Sequence, residues 1–128
     1  MHVFHHRKIR VLFICMHNSS RSRMAAAYAN QMAGGRLRAE SAGFFPRDAD
    51  AMAVRVMKED GIDLPAVRSA SLSGFREEKR RYDYIISVGD RELASRCPSF
   101  PGTPRHLFWP FPDPRRFEGS RSEKLETF

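Results

Sequence analysis

The sequence predicts an α/β fold: an open parallel sheet with helices on both faces, in a single domain. Three observations carry this expectation. The runs Ile9 to Cys15 and Tyr82 to Val88 have the β-branched, apolar character of strands buried on both faces. The stretches MAAAYANQMA and AMAVRVMKEDG are rich in helix formers and each gives way to glycine. Strand and helix signals alternate along 128 residues, a length suited to one domain with a real core.

The elements follow in order. The first strand, Ile9 to Cys15, comes after a charged lead-in and stops at a polar loop. From about Ser20 a helix is expected, with Met24, Ala27, Tyr28 and Met32 on one stripe and Gly34 and Gly35 at its end. LRAESAG, Leu37 to Gly43, reads as a second short strand. A helix carrying Met52, Val56 and Met57 follows and stops at Gly61. Residues 65–81 show no clean period. The third strand, Tyr82 to Val88, precedes a short helical candidate around Glu92 to Ser95. PSFPGTP then breaks the chain, and HLFW supplies a fourth strand before the rigid WPFPDP. The last residues, SRSEKLETF, read as the start of a capped helix with only Leu125 and Phe128 to bury. Residues 1–8 are expected to form a basic flexible tail, and 9–128 the domain.

Composition narrows the function. Lys and Arg number 22 against 15 Asp and Glu, a net charge of +7, while 41% hydrophobic and 11% aromatic residues argue against wholesale disorder. The arginines are scattered, with Arg80–Arg81 and Arg115–Arg116 the only doublets, which favours a small oxyanion over nucleic acid as the anionic partner. The longest apolar stretches, Val11 to Met16 and Met24 to Ala29, fall far short of the ~18 residues that cross a bilayer. The N-terminus lacks the apolar core of a secretory signal, so a cytoplasmic protein is expected. Two cysteines, Cys15 and Cys97, cannot build a disulfide framework. His2, His5 and His6 have no ligand partners at metal-binding spacing, and no metal is expected.

The segment CMHNSSRS, Cys15 to Ser22, stands where a buried strand turns into a helix. Ligands of open parallel sheets bind beyond the carboxyl ends of the strands, and a helix N-terminus there offers free N–H groups to an anion. Five residues between Cys15 and Arg21 let the chain wrap an oxyanion, with the sulfur beneath it and a guanidinium fork beside two of its oxygens. The same positive field favours the thiolate. Ser19, Ser20 and Ser22 offer hydroxyls, Asn18 tolerates left-handed backbone, and His17 adds an imidazole at the rim, read as pointing outward. The competing reading makes Cys15 a small core residue at a strand end and Arg21 a solvated helix start.

CMHNSSRSRMA resembles the catalytic loop of the low-molecular-weight protein tyrosine phosphatases and the related thiol-coupled arsenate reductases, whose pattern is Cys, five residues, Arg, Ser. The resemblance runs through SAG at Ser41, GID at Gly61, YDYIISV at Tyr82, CPSFPG at Cys97 and WPFPDP at Trp109. It implies four parallel strands in order 2-1-3-4. It also implies roles: Cys15 the nucleophile, Arg21 the oxyanion clamp, Ser22 the hydroxyl that stabilises the thiolate, Asn18 the residue ordering the loop, and Ser41 its brace. By the same resemblance Asp113 is the general acid, a role typically worth ~10²–10⁴-fold, and His17, Asn18, Ser19, Ser20 and Arg21 line the substrate.

Both branches of the family start with Cys15 on a tetrahedral oxyanion and differ in what removes the adduct: water in a phosphatase, a second thiol in a reductase. Cys97 sits in a segment resembling the redox segment of the reductases, although Val88, Gly89 and Asp90 stand where the thioredoxin-coupled type carries another cysteine. Either Cys97 attacks Cys15 directly, which requires Cα atoms within ~7 Å, or an external thiol does. The phosphatases usually place an aromatic residue after Asp-Pro; Arg115 stands there, and Trp109 fits the reductase style. Ala26 replaces the family's usual Glu, so the cation site that some reductases build with it is expected to be lost. The reading is therefore an arsenate reductase with no bound cofactor, served by thioredoxin, glutaredoxin or a low-molecular-weight thiol. Its alternatives are a tyrosine phosphatase and a weakly catalytic oxyanion binder, and a monomer or weak homodimer is expected.

Overall fold

The computed structural model describes residues 7–18, 21–62, 64, 70–89 and 91–110. The elements run β1 (Ile9–Cys15), α1 (Arg21–Met32), β2 (Leu37–Gly43), α2 (Ala51–Glu59), α3 (Leu72–Glu77), β3 (Tyr84–Val88), α4 (Arg91–Ala94) and β4 (Arg105–Trp109). The four strands form one parallel sheet in the order β2-β1-β3-β4, as expected.

β1 is central because its side chains can be buried on both faces. Val11 and Phe13 meet Ala26, Ala39, Ile86 and Val88 beneath α1. Leu12 and Ile14 face the other way, against Ala42, Leu72, Tyr82, Ile85 and Phe100. Leu12 is fully buried, and truncating such a residue to alanine costs about 2–5 kcal/mol. The edge strand β2 is poor in large apolar residues and is held by other means. Asn30 of α1 donates from Nδ2 to the Ala39 carbonyl (2.9 Å) and accepts the Ala39 N–H (2.7 Å), so a side chain satisfies backbone that no further strand pairs. On the opposite face, Glu40 accepts from Arg10 at 3.1 Å and also pairs with Arg80.

α2 packs on α1 through Ala53 and Met57, which with Leu64 meet Met24, Ala27 and Tyr28. Asp50 caps it, accepting the Met52 N–H at 2.9 Å, and Gly61 leaves it with φ 76°. Two expectations need correction, and one unassigned stretch gains a helix. Met32 is 81% exposed, because the last turn of α1 projects past the surface that α2 covers. The stretch without a clean period contains α3, which buries little beyond Leu72 and Phe75, too few apolar residues to establish a repeat. The third strand starts at Tyr84 rather than Tyr82; the Tyr82 ring is buried, but at Asp83 the carboxylate, in place of a backbone carbonyl, takes the Arg10 N–H. The expected closing helix and the tail at residues 1–6 lie outside the described residues. Among the described residues no helix is long and apolar enough to cross a membrane.

Candidate active site

The parallel order puts the C-terminal ends of all four strands on one side, and there β1 hands over to α1. Asn18 holds the turn in left-handed backbone (φ 50°), a conformation its short polar side chain tolerates. Asn18 is 2% exposed, and its polar groups all find partners. Its N–H points at Cys15 Sγ (3.2 Å), and its carbonyl accepts from Arg23 Nε (2.5 Å). Its Nδ2 donates to the Ser41 carbonyl (3.4 Å), and its Oδ1 accepts the Ser22 hydroxyl (2.7 Å). The brace at Ser41 is thus its backbone carbonyl. A buried residue satisfied on every side has one orientation, and that orientation aims its backbone N–H at the sulfur.

Ser22, also fully buried, lies 3.0 Å from Cys15 Sγ. Its hydroxyl has one hydrogen and two acceptors within reach. With Cys15 as a thiol, S–H donates to Ser22 and Ser22 to Asn18; with a thiolate, the hydrogen turns to the sulfur. α1 has no acidic residue in its first turn but carries Arg21 and Arg23 there. Cations at a helix N-terminus oppose its dipole, so the arrangement is stable against an anion.

Two glycines make room. The chain after β2 zips onto the loop, with Phe44 N–H to the Cys15 carbonyl (3.2 Å), Phe45 N–H to Met16 (2.7 Å) and Arg47 N–H to His17 (2.9 Å). A Cβ on Gly43 would stand 2.8 Å from Asn18 N and from the His17 carbonyl carbon, so the close approach requires glycine. After β3, Gly89 (φ 129°) lies under the Arg21 guanidinium, whose Nη1 would be 2.2 Å from an added Cβ. His17 is held by Phe45, its Nδ1 2.9 Å from that carbonyl oxygen, while the Phe45 ring is 65% exposed beside it.

Cys15, Asn18 and Ser22 therefore converge, and the Arg21 guanidinium lies over Gly89. Ser19, Ser20, Asp113 and Arg115 lie outside the described residues. Cys97 follows α4. It is half-buried against the Leu12 and Ile14 side of the sheet, its S–H pointing at the Pro98 carbonyl (3.5 Å), and burial pushes its thiol up to about 11. Both cysteines are free thiols. Trp109 ends β4, meets the Phe13 ring at a tilt of 51° with centroids 5.7 Å apart, and its carbonyl accepts the Gly89 N–H at 2.9 Å, which ties β4 to the glycine under Arg21. Arg23, Gly43, Gly89 and Phe45 escaped the sequence reading. The second arginine of Arg-Ser-Arg and the glycine closing Ser-Ala-Gly were the visible signals.

The family model of the low molecular weight phosphotyrosine protein phosphatases matches residues 10–123. The chain belongs to this family. Among similar members, the arsenate reductase of Bacillus subtilis (strain 168) is 33% identical over 119 residues, 92% of this chain and 83% of that protein. An arsenate reductase in oxidized state superposes with TM-score 0.73 at 28% identity, over 92% of this chain and 86% of that one. A thioredoxin-dependent arsenate reductase of Corynebacterium glutamicum, Cg_ArsC1', gives 0.69 at 28% identity; it covers 93% of this chain, which spans 55% of that longer one. In this chain, the site above is the loop that joins β1 to α1.

Proposed function

We propose that this chain is a thiol-coupled arsenate reductase with Cys15 as its nucleophile. The observation that carries the assignment is the sulfur itself, buried at a strand end with the Asn18 amide at 3.2 Å and the Ser22 hydroxyl at 3.0 Å. Groups so placed stabilise negative sulfur before any substrate arrives. A relative called an arsenate reductase, at 33% identity over nine tenths of the chain, supports the choice of substrate.

Loop amides and the Arg21 fork hold arsenate, and the Cys15 sulfur bonds to arsenic(V) while one oxygen leaves as water. Asp113 is the acid assigned to that oxygen. A second thiolate then attacks Cys15 Sγ. A disulfide forms, the sulfur–arsenic electron pair passes to arsenic, and arsenite departs as arsenic(III). A further thiol reduces the disulfide.

The attacking thiol is external in this reading. Cys97 would have to leave its apolar packing and give up a proton it holds to about 11, both of which slow it near neutral pH. Thioredoxin, glutaredoxin and a low-molecular-weight thiol are the candidate donors, and a thioredoxin-dependent relative supports the first. A phosphatase reading, favoured by the family's own description, replaces the second thiol by water on a phosphocysteine; Arg115, where a phosphatase stacks an aromatic ring, speaks against it.

The test follows arsenate-dependent thiol oxidation with each donor, beside hydrolysis of p-nitrophenyl phosphate. Wild type and Cys97→Ser are expected to turn over arsenate alike, and Cys15→Ser not at all. Loss of turnover in Cys97→Ser refutes the external thiol. Hydrolysis without arsenate turnover establishes the phosphatase, and phosphate binding with neither activity establishes an oxyanion-binding module.

A further inference from the structure

We propose that Arg23 is a positioning residue of this site, a buried cation beside the partly exposed Arg21 that locks Asn18 and biases Cys15 toward the thiolate. The inference rests on Cys15 being the nucleophile, but not on which oxyanion it attacks.

Arg23 is 7% exposed, unusual for a side chain that is almost never fully buried without a partner. Its Nε–H is spent on the Asn18 carbonyl at 2.5 Å, the far side of the residue whose own N–H meets Cys15 Sγ. The guanidinium thus pulls on one end of a left-handed residue while the sulfur holds the other. A tighter carbonyl contact also polarises the loop around that residue, so the pull and the aim of the Asn18 amide act together.

The charge matters as well as the hydrogen bond. A guanidinium stays protonated in proteins, so burial here places a full positive charge behind the loop. Burial pushes its proton affinity down, and Asp48 and then Cys15 counteract that push. Interaction between two sites is reciprocal: if an ionised Cys15 favours charged Arg23, charged Arg23 favours ionised Cys15. Among the described residues, the other charged or titratable neighbours of the loop are His17, held by Phe45, Arg21, seated over Gly89, and Arg47, whose N–H meets the His17 carbonyl. Arg21 is shared with the incoming oxyanion, whereas Arg23 is committed to the loop and keeps its charge in place whether or not substrate is bound.

The experiment alkylates Cys15 with iodoacetamide across pH in the full chain carrying Cys97→Ser, with circular dichroism as the check of folding. Arg23→Gln is expected to move the midpoint of the rate profile up by about one pH unit. It is also expected to weaken protection by inorganic phosphate. Arg23→Lys keeps the charge and is expected to restore most of the shift. Asp48→Asn, at an exposed position, frees Arg23 from its opposing charge and is expected to move the midpoint down. A profile for Arg23→Gln that overlays the parent, or one for Arg23→Lys displaced as far as Arg23→Gln, overturns the proposal. If Arg23→Gln does not fold, an unchanged midpoint in Asp48→Asn overturns it. No arsenate is used, so failure of the reductase reading leaves these shifts intact, and failure here leaves arsenate turnover unexplained by Arg23 but otherwise standing.

Discussion

Gly43→Ala probes the site from a residue that touches no substrate. The added methyl would lie 2.8 Å from Asn18 N, 2.8 Å from the His17 carbonyl carbon and 3.1 Å from Asn18 Cβ. Ordinary contact begins near ~3.5 Å, so the loop has to retreat by about 0.7 Å. Backbone bonds from Phe44, Phe45 and Arg47 resist that retreat. Overpacking of this kind costs about 1–3 kcal/mol, a fall in Tm of ~4–12 °C for a domain of this size. The same shift misaims the Asn18 N–H, now 3.2 Å from the sulfur. Loss of a hydrogen bond to a charged group is worth ~1.5–3 kcal/mol, so kcat/KM for arsenate should fall by roughly 10–100-fold. Steady-state reduction with a saturating thiol donor, beside a thermal melt, measures both. A variant with kcat/KM within about twofold of wild type and an unchanged Tm refutes the link between this glycine and the aim of the loop.

Three other outcomes follow from the same geometry. Ser22→Ala removes one donor to the sulfur and leaves Asn18 Oδ1 without its partner at 2.7 Å, so Cys15 alkylation at neutral pH should slow by ~10–100-fold with some loss of stability; unchanged alkylation kinetics count against the hydroxyl's role. Gly89→Ala forces Arg21 aside, since its Nη1 would be 2.2 Å from the new carbon, and should raise KM for arsenate by ~10-fold or more through loss of the two-pronged contact; an unaltered KM shows that Arg21 does not clamp from this position. Burial raises the Cys97 thiol to about 11 from an ordinary value near 9, so the folded chain keeps a proton that the unfolded chain releases. That contribution to stability is whole below pH 9 and is lost as pH rises toward 11, and urea unfolding of Cys97→Ala should lack this alkaline loss.

Much of the fold is legible because its signals are local. β1 is an unbroken apolar run, α1 and α2 are helix formers closed by glycines, and such segments declare themselves whatever surrounds them. α3 is not legible, because six residues including a glycine carry no period; Ser71 caps it, and Leu72 and Phe75 settle its place only once the sheet face exists. Met32 shows the opposite error. Its spacing fits the buried stripe, but a stripe is buried only as far as a neighbour reaches.

The chain order alone determined that Cys15, Asn18, Arg21 and Ser22 share one turn at a strand end. Their separation is short, and a strand-to-helix loop has few ways to arrange so few residues. Tertiary structure decided everything that reaches the turn from elsewhere. Gly43 lies under Asn18 because β2 pairs in register with β1, and Gly89 lies under Arg21 because β3 pairs on the other side. Cys97 joins the Leu12 and Ile14 side of the core, and Arg23 faces inward. A backbone's local preferences depend on neighbours within a few residues, whereas steric room, burial and electrostatic field are set by atoms that only folding brings within a few ångströms.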